Sequence, residues 1–216
     1  MADPRDILTL TEGKDRLSIG STDTSHDAQV ASLITGISRR IDLAVGPAVA
    51  FTVGNEIHSF ATYRDWGTRN TIEFNYCPVT TIISVTNYLG TTPTVLTQQV
   101  PGTSPSDGFY AEQYDPDPTL FSGIITRKTG LYPYPFGDLV SVTYLAGRFT
   151  STTTVDPKFK EAAGIMLQNS FRAHQQSTAP YGQYDVPQQT FPTFAIPNYF
   201  LEMMAFELQP NVGFGA

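Results

Sequence analysis

Apolar residues along this chain change their spacing three times. Between residues 25 and 45, Val30, Ile34, Ile37, Ile41 and Ala44 recur at steps of three and four. That spacing places them on one stripe of a helix, with Ser38, Arg39, Arg40 and Asp42 mostly off it. Gly46-Pro47 predicts the stop, a left-handed cap followed by a residue that cannot continue a helix. Upstream, Thr9-Leu10-Thr11-Glu12 has the spacing of a capping box, in which Thr9 and Glu12 each satisfy the other's orphan backbone N–H. It predicts a helix over 10–18 with Leu10, Leu17 and the stem of Lys14 turned inward. Gly13 weakens that helix by about 1 kcal/mol relative to alanine, so it needs tertiary support. Two helices joined by the polar turn 20–24 are expected to pack as a hairpin.

From Ala48 to Arg148 the period falls to two, and Thr, Val, Ile, Tyr and Phe dominate. Strands are predicted over 49–53, 56–62, 71–76, 81–89, 94–98, 109–113, 123–128 and 139–145. Gly54-Asn55, Asp65-Trp66-Gly67, Gly90, Pro101-Gly102, Ser106-Asp107-Gly108, Asp115–Pro118 and Tyr132–Asp138 punctuate them. The 3.6 period returns after Asp156-Pro157, an acidic cap followed by a proline suited to a first helical turn. Phe159, Ala163, Met166, Leu167, Ser170 and Phe171 define one face of a helix over 157–176. The fold class expected is α+β: a small helical bundle of three main helices with an antiparallel β domain inserted at 48–148, together forming a core over 1–176.

Residues 177–216 differ from everything before them. They contain Asp185, Glu202 and Glu207 but no Lys or Arg, and they carry aromatics throughout, from Tyr181 to Phe214. Pro180, Pro187, Pro192 and Pro197 interrupt the first half. A short closing helix is predicted from Pro197 to about Leu208, with Leu201, Met204, Ala205 and Leu208 on one face. Such a stripe serves either as core, if the segment folds back, or as an arm whose helix docks in a partner's groove. A Pro- and Gln-rich spacer before a sticky helix favours the arm.

Charge and composition narrow the functional classes. Charged residues are only 15% of the 216, which leaves Thr, Ser, Gln, Asn and aromatics to cover the surface, a pattern common in proteins buried in assemblies. The net charge of −7 argues against gripping nucleic acid through its phosphates. A single cysteine, Cys77, excludes an intrachain disulfide and finger-type metal spacing; a buried thiol is its expected state. No apolar run approaches the ~20 residues that span a bilayer, and Met1–Asp6 does not read as a secretory signal.

Chemistry-bearing patterns are sparse. His26, His58 and His174 sit in separate elements without ligand spacing, which predicts exposed or locally bonded rings. Asp115 and Asp117 each precede a proline and lack the Gly and distal Glu of a calcium loop, so a turn is expected. Phosphate-binding glycine loops and a Gly-x-Ser-x-Gly elbow are missing. Catalytic residues, metal and cofactor are therefore all expected to be none.

The ordered set of segments resembles the head–tail connector (adaptor) proteins of long-tailed bacteriophages. The residues that carry the likeness are Leu8–Glu12, Cys77-Pro78-Val79 with Ile82–Val85, Val140–Gly147, Pro157–His174, and Ala195–Asn198 with Leu201–Met204. The resemblance spans about Ile7 to Leu208. It implies a homo-oligomeric ring, usually a dodecamer, in the virion neck, with the portal protein on one side and a stopper or tail-completion protein on the other. Genomic DNA would pass through without specific binding, and no membrane is involved. Residues 177–216 would be the docking arm, with Phe194, Ile196, Tyr199, Phe200, Leu201, Met204 and Phe206 as portal contacts. Competing readings are a stopper or tail-terminator ring, which is usually more completely β and lacks the opening helices, a small hydrolase with an unrecognised site, and a carbohydrate-binding β module suggested by Tyr residues and Trp66.

Overall fold

The computed structural model describes residues 3–60, 70–100, 106–115, 117–130 and 132–178, together with Asn198 and Glu202. The described residues form an α+β fold with a large sheet and three continuous α-helices before residue 179. The chain divides into two compact units, one from the described residues up to Val49 and from Phe149 onward, the other from Ala50 to Arg148. The closing helix predicted from Pro197 lies outside the described residues except for Asn198 and Glu202, which are helical and exposed.

The helical unit is built on α1 (Leu10–Arg16), α2 (Asp27–Val45) and α3 (Pro157–Thr178). The capping box forms as predicted: Glu12 N–H donates to Thr9 Oγ1 at 3.2 Å, and Thr9 N–H donates to Glu12 Oε2 at 2.8 Å. Helix α2 starts at Asp27 rather than Ser25. The Ser25 hydroxyl instead donates to Asp23 Oδ1 at 2.6 Å, closing a tight polar turn. At the far end Gly46 does have positive φ, at 81°, but its ψ of 169° is extended, so the stop is not the left-handed cap expected. Helix α3 runs two residues beyond the predicted end at Gln176.

One apolar cluster joins these helices. Val30, Ile34, Ile37, Ile41 and Val45 of α2 meet Phe159, Ala162, Ala163, Met166, Leu167 and Phe171 of α3, with Ile7, Leu8, Ala48, Val49 and Val155 completing it. Gly13 has a packing role: a Cβ there would stand 2.6 Å from Ile34 Cδ1 and 3.3 Å from Val30 and Leu167, so a side chain at this position would displace core side chains of α2 and α3. Two details depart from the stripe. Ser38 is fully buried rather than off it, because its hydroxyl donates to Ile34 O and accepts from Ile7 N–H, both at 2.9 Å, fixing the N-terminal segment on α2. Lys14 buries its ammonium as well as its stem; the charge pairs with Asp27 Oδ1 at 2.8 Å and reaches the carbonyls of Ser21 and Asp23. A polar seam then ties α1 to α3 through Lys160–Glu12 at 2.6 Å and Arg16–Glu161 at 2.8 Å.

The second unit holds β1 (Phe51–Ser59), β2 (Thr71–Glu73), β3 (Val79–Leu89), β4 (Thr92–Gln98), β5 (Asp107–Gln113), β6 (Phe121–Thr129), β7 (Tyr132–Pro133) and β8 (Leu139–Ala146). The sheet order is β1-β8-β3-β4-β5-β6-β2, with β7 on β6 and a further β3–β6 contact at Val79–Phe121. The sheet is mixed, not wholly antiparallel as predicted: β4 and β5 run parallel at Thr97–Gly108 and Gln98–Phe109. A Cβ on Gly108 would overlap Thr97 O, so glycine permits that approach, and Gln99 secures it by donating to Ser106 O at 2.7 Å. Gly54-Asn55 is not a turn between two strands. It is a bulge inside β1, where the register on β8 shifts between Val53 and Glu56 and Asn55 takes a positive φ of 53°. The strand expected over 71–76 ends at Glu73, and Tyr132–Pro133, read as part of a turn, adds β7.

The inner face of this sheet packs Val79, Val85, Leu96, Phe109, Ile125, Val140, Val142, Tyr144 and Ala146 around Ile72, Phe74 and Phe136. The turn into β8 is locked by Gly137, whose N–H donates to Asn87 Oδ1 at 2.6 Å and whose absent Cβ would overlap Tyr88 O. Gly137→Ala is expected to force the β3 backbone away and to cost about 1–3 kcal/mol. A urea midpoint equal to that of the unmodified protein would contradict this.

Candidate interaction surface

The residues proposed from sequence as portal contacts, Phe194, Ile196, Tyr199, Phe200, Leu201, Met204 and Phe206, lie outside the described residues. What the structure describes is the framework before them and the side chains that titrate or stand exposed on it.

The histidines are locally engaged and do not converge. His26 sits edge-on to Phe171 with ring centroids 5.8 Å apart, His58 Nε2 is 2.8 Å from Glu56 Oε1, and His174 is exposed. Asp117 makes the turn expected of it, accepting from Thr119 N–H at 3.0 Å and Thr119 Oγ1 at 2.7 Å; these bonds hold its carboxyl below the usual range. Cys77 is half-buried rather than buried. Among the described residues no three His, Cys, Asp or Glu side chains group as metal ligands, and no helix is long and apolar enough to cross a membrane.

Two polar networks, one centred on the buried Glu56 and one partly exposed, carry structural work. In the sheet unit, Glu56 is buried and accepts from Tyr144 OH at 2.5 Å, Asn75 N–H at 3.0 Å and His58. Burial, reinforced by the bond to Glu56, pushes the Tyr144 phenol well above its ordinary value, so it stays a donor. In the helical unit, Arg39 bridges Asp3 at 2.8 Å and Asp42 at 3.1 Å, while Asp42 also accepts from Ala48 N–H at 3.0 Å. Burial raises the Asp42 carboxyl despite these partners. Each network joins segments distant in sequence.

The sheet's outward face is a different kind of surface. Pairing places Ile57, Ser141, Thr86 and Val95 in one row across β1, β8, β3 and β4. Ser59, Leu139, Tyr88 and Pro93 form the next row, and Thr52, Leu145 and Thr81 lie beyond the bulge. These positions alternate with the buried ones, so they share the face opposite the core. None of them carries a charge. Ile57 is 61% exposed and Val95 70% exposed. Sequence reading missed this surface. Its signal was present as Thr, Ser and aliphatic residues at every second position of four strands, but only register shows that the four sets align.

No family model and no curated protein sequence matches the chain. Among solved structures it is similar to a chain from the neck of an empty gene transfer agent particle computed with C6 symmetry, at 16% identity and TM-score 0.50. That match covers 93% of this chain and 87% of the other. The chain has the fold of a gene transfer agent neck chain. A chain from the virion of the native gene transfer agent particle is similar at 17% identity and TM-score 0.47, covering 87% of each. The shared fold includes both units described above, since the neck match covers nearly all of this chain.

Proposed function

We propose that this protein is a non-enzymatic structural component of the neck of a phage-like particle, forming a ring between the portal and the tail or stopper. The observation that carries this reading is the fold shared with a neck chain over 93% of the sequence. In this reading copies of the chain surround the channel, most naturally twelve of them, the C-terminal arm reaches the portal, and the opposite side receives the stopper or tail-completion protein. A net charge of −7 suits a conduit that DNA must traverse without being held. Low charged content suits a surface largely covered by partners.

The arm supplies the docking element. The described part of helix α3 reaches Thr178, and the residues after it in sequence combine aromatic anchors with three carboxylates and no Lys or Arg. Phe194, Ile196, Tyr199, Phe200, Leu201, Met204 and Phe206 are the proposed portal contacts, at spacings that place several on one side of a helix in a groove. Deleting residues 179–216 is expected to weaken portal binding at least about tenfold while leaving the circular dichroism of the remaining chain intact. Titration of portal protein with the full and shortened chains measures this, and equal affinities would remove the arm from the contact.

A further inference from the structure

The outward face of β1, β8, β3 and β4 lacks charge on a chain that is otherwise acidic. It mixes hydroxyl and apolar side chains, with Ile57, Ser141, Thr86 and Val95 in the row nearest its centre and Leu139 and Tyr88 beside them. A face spanning four strands without a charged side chain has the charge depletion that marks the core of a protein–protein interface. We propose that this face is the surface through which one copy of the chain contacts the next, an inference that rests on the ring assembly proposed above.

Charge selects the occupant. Two copies each carrying −7 repel one another wherever their carboxylates meet. A face without carboxylates is where such copies come together with least opposition. The same absence of Lys and Arg gives nucleic acid nothing to neutralise its phosphates. Interleaved Thr and Ser hydroxyls break the apolar continuity that a bilayer surface would reward.

The end strand of this sheet points the same way. Strand β1 pairs with β8 along one side, and its bulge at Gly54-Asn55 interrupts the register of the strand. Bulges of this kind spoil an edge as a template for strand addition. At this end of the sheet the contact between copies is therefore made across the face rather than by adding a strand to β1.

Area sets how strong the contact is. Four strands about 4.8 Å apart, with about seven residues each at ~3.3 Å, give a footprint of roughly 300 Å². A stable pairwise interface buries about 800 Å² on each partner. The face alone therefore holds two copies weakly, and closure of a ring, in which each copy makes the contact twice, stabilises the assembly. Isolated protein should be monomeric when dilute and assemble as concentration rises.

Sedimentation velocity of the full chain over a wide concentration range tests this, comparing the unmodified protein with the double variant Ile57→Glu/Val95→Glu. Both side chains are exposed, so the thermal melt should be unchanged. The midpoint concentration for assembly should rise by about tenfold or more. Ile57→Thr/Val95→Thr should keep the original midpoint, and Leu43→Glu, at an exposed site on α2, should do the same. Assembly of the double glutamate variant at the original concentration would overturn the proposal, as would a monomeric unmodified protein throughout the range. Portal binding is read separately through the arm. Loss of assembly in the glutamate variant alongside a full chain that does not bind portal would leave this inference standing and remove the portal reading.

Discussion

Glu56→Ala is expected to lower the stability of the sheet unit by about 2–3 kcal/mol, among the larger effects of any single change in the protein. The carboxylate is buried and receives three donors from three places: Tyr144 OH from the C-terminal half of β8, Asn75 N–H from the segment after β2, and the ring of His58 two residues along β1. Tyr144 in turn accepts from Tyr76 N–H at 3.2 Å and lies against Phe74 with ring centroids 4.5 Å apart. Alanine leaves the Tyr144 proton buried without this acceptor, at a cost of about 1–3 kcal/mol, whereas Asn75 is an exposed residue whose N–H loses a bond at smaller cost. Glu56→Gln keeps one acceptor oxygen in place and should lose less than half as much. In a cycle with Tyr144→Phe, the pair of changes should cost less than the sum of the two, because each removes the same bond. Guanidinium unfolding of the four proteins gives these differences. A loss below about 1 kcal/mol in Glu56→Ala, or strict additivity with Tyr144→Phe, would show that the network does not stabilise the unit.

The same residue illustrates what sequence pattern reveals and what it conceals. Alternation placed Glu56 in a strand and the opposing strand at 139–145, and both are present in β1 and β8. Pattern also read Gly54-Asn55 as a turn, since those residues favour positive φ in turns and in bulges alike. Only the pairing of both halves with β8 distinguishes the two, and that pairing brings Glu56 opposite Val142, on the inner side of the sheet. The parallel β4–β5 contact was equally hidden, because it depends on Gly108 lying against Thr97 O, a long-range approach that composition does not encode. Helices were more legible. Capping at Thr9 and Glu12 is local, and the 3.6-residue stripe of α2 and α3 is read within each segment. Their exceptions, Ser38 and Lys14, are polar side chains buried by specific partners: Ile7 and Ile34 for one, and Asp27, Ser21 and Asp23 for the other. The docking positions proposed from Phe194 to Phe206 rest on sequence pattern and resemblance alone. The uncharged face became visible only when strand register aligned Ile57, Ser141, Thr86 and Val95.

Phe159→Ala is expected to destabilise the helical unit by about 3–5 kcal/mol, the range for emptying a large aromatic site that cannot fully collapse. Phe159 lies in the first turn of α3, is completely buried, and meets Phe149 edge-on with ring centroids 5.5 Å apart. It belongs to the cluster that joins α3 to α2, in which Ala162, Ala163, Met166 and Leu167 are also buried. For a chain of this size the loss corresponds to a fall in melting temperature of roughly 6–20 °C. Phe159→Leu, which refills much of the volume, should recover most of it. The change also separates folding from docking. Residues 179–216 follow the described part of α3 in sequence, so weakening the base of that helix lowers thermal stability while leaving the arm's own side chains unchanged. Well below its melting temperature, Phe159→Ala should bind portal within about threefold of the unmodified chain. Deletion of 179–216 should show the reverse, with binding lost and the melt of the folded units preserved. A Phe159→Ala protein that is folded at low temperature yet no longer binds portal would mean that the docking surface includes the helical unit itself, and the division of labour between core and arm would fail.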